Sequence, residues 1–175
     1  GLLNPNSGDI IVNNKQKIDS LEKFSGIISY MPQDPIILDD TIIKNITFEN
    51  NEKNINFEKY ANALNQSNLD KVLNQLPKKD RTFIGENGIR LSGGQYKRIA
   101  LARTFYFEKK ILVMDEATNS LDPESEKYVM EQVNELKGKK TIIIITHKQN
   151  ILSNCDKIYK VEDKKINLMK EKKQW

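Results

Sequence analysis

Two adjacent carboxylates, Asp115 and Glu116, follow directly on the short apolar run Ile111-Leu112-Val113-Met114. Such a run reads as a buried strand, and open α/β sheets place their ligands at the carboxyl ends of parallel strands. The pair suits a hydrated magnesium ion bound through one carboxylate, with the other acting on a water nucleophile. It equally suits a strand that leaves the core into a polar loop. A second candidate is Leu91-Ser92-Gly93-Gly94-Gln95, ahead of a helix. Paired glycines let a backbone approach a ligand closely, and a helix amino end offers free N–H groups to a phosphate. Ser92 and Gln95 also have the spacing of a capping box, but a cap alone leaves unexplained two glycines in a first turn, where each costs about 1 kcal/mol relative to alanine. His147, the single histidine, follows the apolar strand that ends at Thr146. A neutral imidazole there could reach a phosphate or a polarised water, or it could be an ordinary polar residue at a helix start. Gln33, beside Pro32 and Pro35, is similarly open, since a neutral amide could contact a metal-bound water.

The elements that must position these groups alternate. Asn4 to Gly8 reads as a turn after the end of a helix at Gly1-Leu2-Leu3, and Asp9 to Val12 as a short strand. Gly26 to Met31 reads as a strand stopped by Pro32, and Thr41 as the N-cap of a short helix through Ile46. Spacings of three and four along Tyr60, Leu64, Leu69, Val72, Leu73 and Leu76 predict two helices with a break near Ser67. The loop Gly85-Glu86-Asn87-Gly88 leads to the helix after Gly93, which runs to about Phe107. Asp122-Pro123-Glu124 opens a helix with a cap, a proline at its first position and an acid in its first turn. Gly138 ends it. Thr141 to Thr146 is a strand too apolar for a solvated surface, followed by a helix from His147 to Asn154 and closing strands at Ile158 to Val161 and Ile166 to Leu168. Alternating strands and helices with two apolar strands predict an α/β fold with a covered, mostly parallel sheet.

With 175 residues, 38% of them hydrophobic and 30% charged, the chain has the composition of a globular protein. Its longest purely aliphatic run, Ile142 to Ile145, falls far short of the ~18 residues of a membrane span. Cys155 stands alone, which excludes an internal disulfide framework and fits a reducing cytoplasm. The net charge of +4 comes mostly from lysine, with only Arg81, Arg90, Arg98 and Arg103 as arginines, so nucleic acid is not an expected partner.

The order Gln33, Leu91 to Gln95, Ile111 to Glu116, Ser120-Leu121-Asp122 and Thr146-His147 resembles the nucleotide-binding domain of ATP-binding cassette (ABC) transporters. The resemblance runs from Gly1 to about Leu168. It implies a P-loop NTPase-like sheet with helices on both faces and an inserted helical subdomain at about 41–101. The catalytic core would then be 1–40 with 102–168, and 169–175 a tail. It implies ATP and Mg²⁺ as ligands, with Asp115 holding the metal through water and Gln33 sensing metal and water. Glu116 would polarise the attacking water and His147 contact the γ-phosphate. Ser92, Gly93, Gly94 and Gln95 would clasp a nucleotide held by a second, head-to-tail domain, and Ser120 and Asp122 would link the two sites. Thr41 to Ile46 and Gly85 to Gly88 resemble exporters, and Asn154 to Tyr159 bacterial exporters of lipids and lipid-linked glycans. A membrane domain upstream in the same chain, at the cytoplasmic face of the cell membrane, is the implied partner.

The family's phosphate cradle, G-x-x-x-x-G-K-[ST], does not occur in the 175 residues. Gly1 to Gly8 looks like the stretch just after it, so the expectation is a domain cut downstream of that loop and inactive by itself. Tyr96, Lys97 and Asn119 also depart from the family pattern and read as surface changes. The competing readings are a soluble ABC-type ATPase acting on DNA or ribosomes, which the exporter-like segments disfavour, and a non-catalytic interaction fragment, which the intact Glu116 and His147 disfavour.

Overall fold

The computed structural model describes residues 5–12, 16–17 and 26–171, so the expected helix end at Gly1-Leu2-Leu3 lies outside the described residues. Strands β1 (Ile11–Val12) and β2 (Gln16–Lys17) form a small antiparallel pair. The central sheet consists of β3 (Ile28–Met31), β6 (Ile111–Asp115) and β7 (Thr141–Ile145), all parallel in the order β3-β6-β7. Met31, Met114 and Ile144 share one register row, so the chain leaves β3, β6 and β7 at the same end of the sheet.

Between β3 and β6 runs a mostly helical stretch. The short strand β4 (Asp40–Thr41) leads into helix α1 (Ile42–Thr47), followed by α2 (Phe57–Gln66) and α3 (Asp70–Leu73). Strand β5 (Phe83–Ile84) then pairs antiparallel with β4. The break expected near Ser67 is real: Ser67 closes α2, and Asn68 takes a positive φ of 54°. Thr41 stands at the N-cap of α1, but its hydroxyl makes no cap bond. Asp40 accepts the Thr41 N–H instead, at 2.7 Å.

Helix α4 (Gly93–Tyr106) organises two apolar clusters. Ala100, Leu101 and Phe105 face Met31, Leu112 and Met114 of the sheet, while Ile99 and Ala102 face Ile42, Ile46 and Leu69 of the helical stretch. A helix apolar on opposite sides is a buried one. Helix α5 (Pro123–Asn134) adds Val129, Met130 and Val133 to the sheet cluster. Its N-cap Asp122 accepts the Ser125 N–H at 2.9 Å, as the sequence led one to expect.

Helices α4 and α5 cover one face of the sheet. On the other, Tyr30 is 50% exposed, Ile143 49% and Ile145 48%. The apolarity of β7 therefore corresponds to burial on one face among the described residues, where Ile142 and Ile144 join the core. After β7, the helix expected from His147 to Asn154 is only one turn, α6 (Gln149–Leu152). The two closing strands are longer than the apolar residues suggested. β8 (Lys157–Glu162) and β9 (Lys165–Glu171) form an antiparallel hairpin, so residues 169–171, expected in a tail, belong to a strand. No helix among the described residues is long and apolar enough to cross a membrane.

Candidate functional site

The ends of β6 and β7 bring two of the predicted catalytic residues, Glu116 and His147, together. Parallel pairing places Asp115 beside Ile145, and the chain stays joined one residue further, where the Glu116 N–H donates to the Ile145 carbonyl at 3.0 Å. Glu116 then takes a positive φ of 45°, a conformation that costs an L-residue of order 1 kcal/mol and turns the chain sharply off the sheet. Its side chain is 17% exposed and its Oε1 lies 3.2 Å from His147 Nε2. His147 is 91% exposed, so this imidazole stands out from the sheet end with Glu116 beside it as its ionic partner among the described residues. The other carboxylate oxygen, Oε2, accepts the Asn119 amide at 2.7 Å.

Asp115 is the last residue of β6, half-buried, and its Oδ2 accepts the Tyr30 hydroxyl from β3 at 3.1 Å. That hydrogen bond holds the Tyr30 phenol above its ordinary range, with the Asp115 charge adding to the effect, so Tyr30 remains a donor. Among the described residues no group of three or more His, Cys, Asp or Glu is assembled that could cage a metal. Magnesium is commonly held by one or two carboxylates completed by water and substrate phosphates, and Asp115 with Glu116 beside it fits that mode. Gln33 lies exposed two residues beyond the end of β3, on the side of the sheet where Asp115 and Glu116 also emerge. The segment after it is tied down from the helical stretch. Buried Asn45 accepts the Leu38 N–H at 2.7 Å and donates to the Leu38 carbonyl at 3.0 Å. Arg103 donates to the carbonyls of Asn45 at 2.7 Å and Ile36 at 2.9 Å.

At the amino end of α4, Ser92 and Gln95 cap the helix. The capping box is formed: Gln95 Oε1 accepts the Ser92 N–H at 2.8 Å, and Ser92 Oγ accepts the Gln95 N–H at 3.3 Å. The two glycines, however, answer to different constraints. A Cβ on Gly94 would stand 2.7 Å from the Ser120 carbonyl oxygen, whereas one on Gly93 would meet nothing within 4 Å. Gly94 is thus required by the loop packed against it, and Gly93 is exposed with open space in front. Asp122 and Ser125 are joined to the same helix by Arg98, whose Nη2 donates to Asp122 Oδ2 at 2.8 Å and Ser125 Oγ at 2.5 Å. The Ser125 N–H and the Arg98 charge hold the Asp122 carboxyl below its ordinary range. Ser92, Gly94, Gln95, Ser120 and Asp122 line one cavity of about 450 Å³. A single fold therefore carries two surfaces, one of carboxylates and imidazole and one of glycine and hydroxyl, joined by the loop from Glu116 to Asp122.

A family model for the ABC transporter matches residues 1–119. The chain belongs to the ABC transporter family. Among relatives, the ABC chain is 36% identical over 163 residues to ABC transporter B family member 13 of Arabidopsis thaliana, covering 93% of this chain and 13% of that protein. It is 35% identical to an ATP-dependent lipid A-core flippase of Ralstonia nicotianae, covering 93% of this chain and 28% of the flippase. The same shares are covered in a multidrug resistance ABC transporter ATP-binding and permease protein of Lactococcus lactis, at 36% identity. A solved bacterial Atm1-family ABC exporter with ATP bound superposes with a TM-score of 0.78 at 29% identity, covering 89% of this chain and 27% of that one. The chain thus spans between 13% and 28% of the length of these relatives.

The two segments that the sequence marked as exporter-like, at Thr41 and Gly85, are brought close together, because β4, which ends at Thr41, pairs with β5, which ends just before Gly85. Asp39 accepts both the backbone and the side-chain amide of Asn87, at 3.1 and 2.7 Å, which fastens the Gly85 to Gly88 loop. The three departures from the family pattern are not surface changes. Lys97 is only 7% exposed and its Nζ donates to the Glu116 carbonyl at 3.2 Å. Asn119 is bonded to the Glu116 carboxylate, and the Tyr96 hydroxyl accepts the Leu91 N–H at 3.4 Å. Their polarity suggested solvent; position on the inner side of α4 and in the loop after β6 decided otherwise. Glu126 was missed as well. This buried carboxylate on α5 pairs with Lys148, the residue after His147, and accepts the Asn150 amide at 3.0 Å. Glu124 to Tyr128 reads as an ordinary polar helix start, so only the fold reveals that partner.

Proposed function

We propose that this chain is the ATP-hydrolysing unit of an ABC exporter. The observation that carries the reading is the placement of the Glu116 carboxylate between the His147 imidazole at 3.2 Å and the Asn119 amide at 2.7 Å, at the end of a buried parallel sheet. A carboxylate fixed at both oxygens is oriented to take a proton from an attacking water. His147, almost fully exposed, is free to reach a terminal phosphate. Asp115 would hold Mg²⁺, with Gln33 contacting its water. The bound ion would neutralise developing phosphate charge and template the nucleotide.

Ser92, Gly93, Gly94 and Gln95 would close over a nucleotide held by a second domain of the same kind, head to tail. The exposure of Gly93 and its open space support that role. Ser120 and Asp122, which touch or cap the same region, would carry the state of one site to the other. Residues 41–101 would act as a subdomain facing a membrane domain at the cytoplasmic side of the membrane, supported by the β4–β5 pairing that brings the exporter-like segments at Thr41 and Gly85 together. Work done on a substrate would be export or flipping; the likeness to a lipid A-core flippase supports a lipid or lipid-linked glycan.

The test is Glu116→Gln in the full-length protein. It keeps the shape and removes the base, so turnover is expected to fall at least ~100-fold while ATP still binds. Near-normal steady-state hydrolysis would overturn the assignment.

A further inference from the structure

Glu116 adopts a backbone conformation that its own residue type disfavours, so neighbouring groups must hold it. Its N–H is bound by Ile145 at 3.0 Å. Its carbonyl receives two donors: the Asn119 N–H at 3.0 Å from within the loop, and the Lys97 ammonium at 3.2 Å from outside it. Two residues on, the Thr118 carbonyl receives a second ammonium, from Lys148, at 3.4 Å. Lys97 comes from α4, the helix whose amino end is Ser92 to Gln95, and Lys148 from the residue after His147.

We propose that Lys97 is a positioning residue for Glu116, holding the left-handed turn after β6 from α4 so that the carboxylate stays directed at His147. The proposal rests on the reading of Glu116 as the base. Lysine is almost never fully buried unless paired, and Lys97 is the one buried lysine among the described residues. Burial pushes its ammonium below the usual lysine range, with the charges of Asp34 and Glu116 opposing that and Lys148 adding to it. A desolvated ammonium spent on a single backbone carbonyl is a poor stabiliser of the fold. It is well placed to fix the one carbonyl whose residue carries the reactive group. Asp34, next to Gln33, brings the segment after β3 into the same electrostatic neighbourhood. Movement of α4 would therefore reach Glu116 through one side chain.

Lys97→Met in the full-length protein keeps the length and apolar stem and removes the donor. The expected result is a fall in kcat of about tenfold, with the KM for ATP within about twofold of wild type. The melting temperature should be unchanged or higher, because an apolar group replaces a desolvated charge. Lys97→Gln, which restores a neutral donor, should recover part of the lost kcat. A purely structural role would lower kcat and melting temperature together in both variants, and that result overturns the proposal. So does wild-type kcat in Lys97→Met. Glu116→Gln separates the two readings. If it hydrolyses ATP normally, the assignment of the base fails; if it is inactive while Lys97→Met is unimpaired, only the role of Lys97 fails.

Discussion

Gly94 and Ser120 stand in direct contact, the Ser120 carbonyl occupying the place a side chain on Gly94 would need, with only 2.7 Å to a Cβ. Twenty-six positions apart in the chain, they join the first turn of α4 to the loop that leaves β6. Neighbouring Gly93 is under no such constraint. The two glycines of one motif can therefore be separated by substitution.

Gly94→Ala should force the 116–122 loop or the start of α4 to shift, because Cβ contacts below about 3 Å do not persist. Destabilisation of about 1–3 kcal/mol is expected, measured by urea unfolding. Gly93→Ala should do the opposite, stabilising the helix by up to about 1 kcal/mol while impairing ATP turnover, because the added methyl would obstruct a nucleotide presented from a second subunit. Unimpaired turnover in Gly93→Ala would argue against that approach.

His147→Ala removes a side chain that is almost wholly in solvent. Stability should change by less than about 0.5 kcal/mol, yet hydrolysis should fall by about 10²-fold. Calorimetric melting and steady-state phosphate release check the two halves. A parallel loss of stability would mean that His147 supports the fold and not the reaction.

Asn45→Ala removes a fully buried amide that accepts the Leu38 N–H and shares the Leu38 carbonyl with the Asp40 N–H. Leaving the Leu38 N–H unpaired should cost about 2 kcal/mol and loosen the segment after Gln33. Faster amide exchange at Leu38, confined to that segment in an otherwise folded protein, is the measurement to make.

Glu126→Gln should show a stability loss that depends on pH. Burial works to raise this carboxyl, but hydrogen bonds from Lys148 and Asn150 and the Lys148 charge outweigh it, so the folded pKa lies below the usual glutamate range. A depressed carboxyl contributes stability that is present above the unfolded pKa and lost as pH falls through the folded one. The variant should thus be less stable by about 1–2 kcal/mol at pH 7, and the gap should close below about pH 4. Denaturant midpoints at the two pH values test the sign. A gap of equal size at both would exclude the ionised pair as its source.

The 175 residues lack the G-x-x-x-x-G-K-[ST] cradle, which supplies most of the backbone donors and the lysine that bind a polyphosphate. Titration of the 175-residue chain with Mg-ATP should therefore give no heat at micromolar concentrations. Micromolar binding by this chain alone would show that the nucleotide site has been misplaced.

The grouping of Asp115, Glu116 and His147 came from the family resemblance, while types and local spacing were enough to identify the parallel α/β design, the break at Ser67 and the cap at Asp122. Those features depend on hydrophobic period, turn chemistry and strand ends, all of which act over a few residues. Ser92 to Gln95 was equally visible as a cap and as a ligand loop, and sequence could not divide the labour between its two glycines. Only the fold did so, by placing Ser120 against one of them and open space before the other. The same holds for Lys97, Asn119 and Glu126. Polar residues in a helix or loop are predicted to meet water because most do. Whether a given one instead meets a strained carbonyl or a half-buried ammonium depends on which face of α4 or α5 turns inward and what loop crosses it. Those contacts join residues far apart in sequence, and only chain packing sets them.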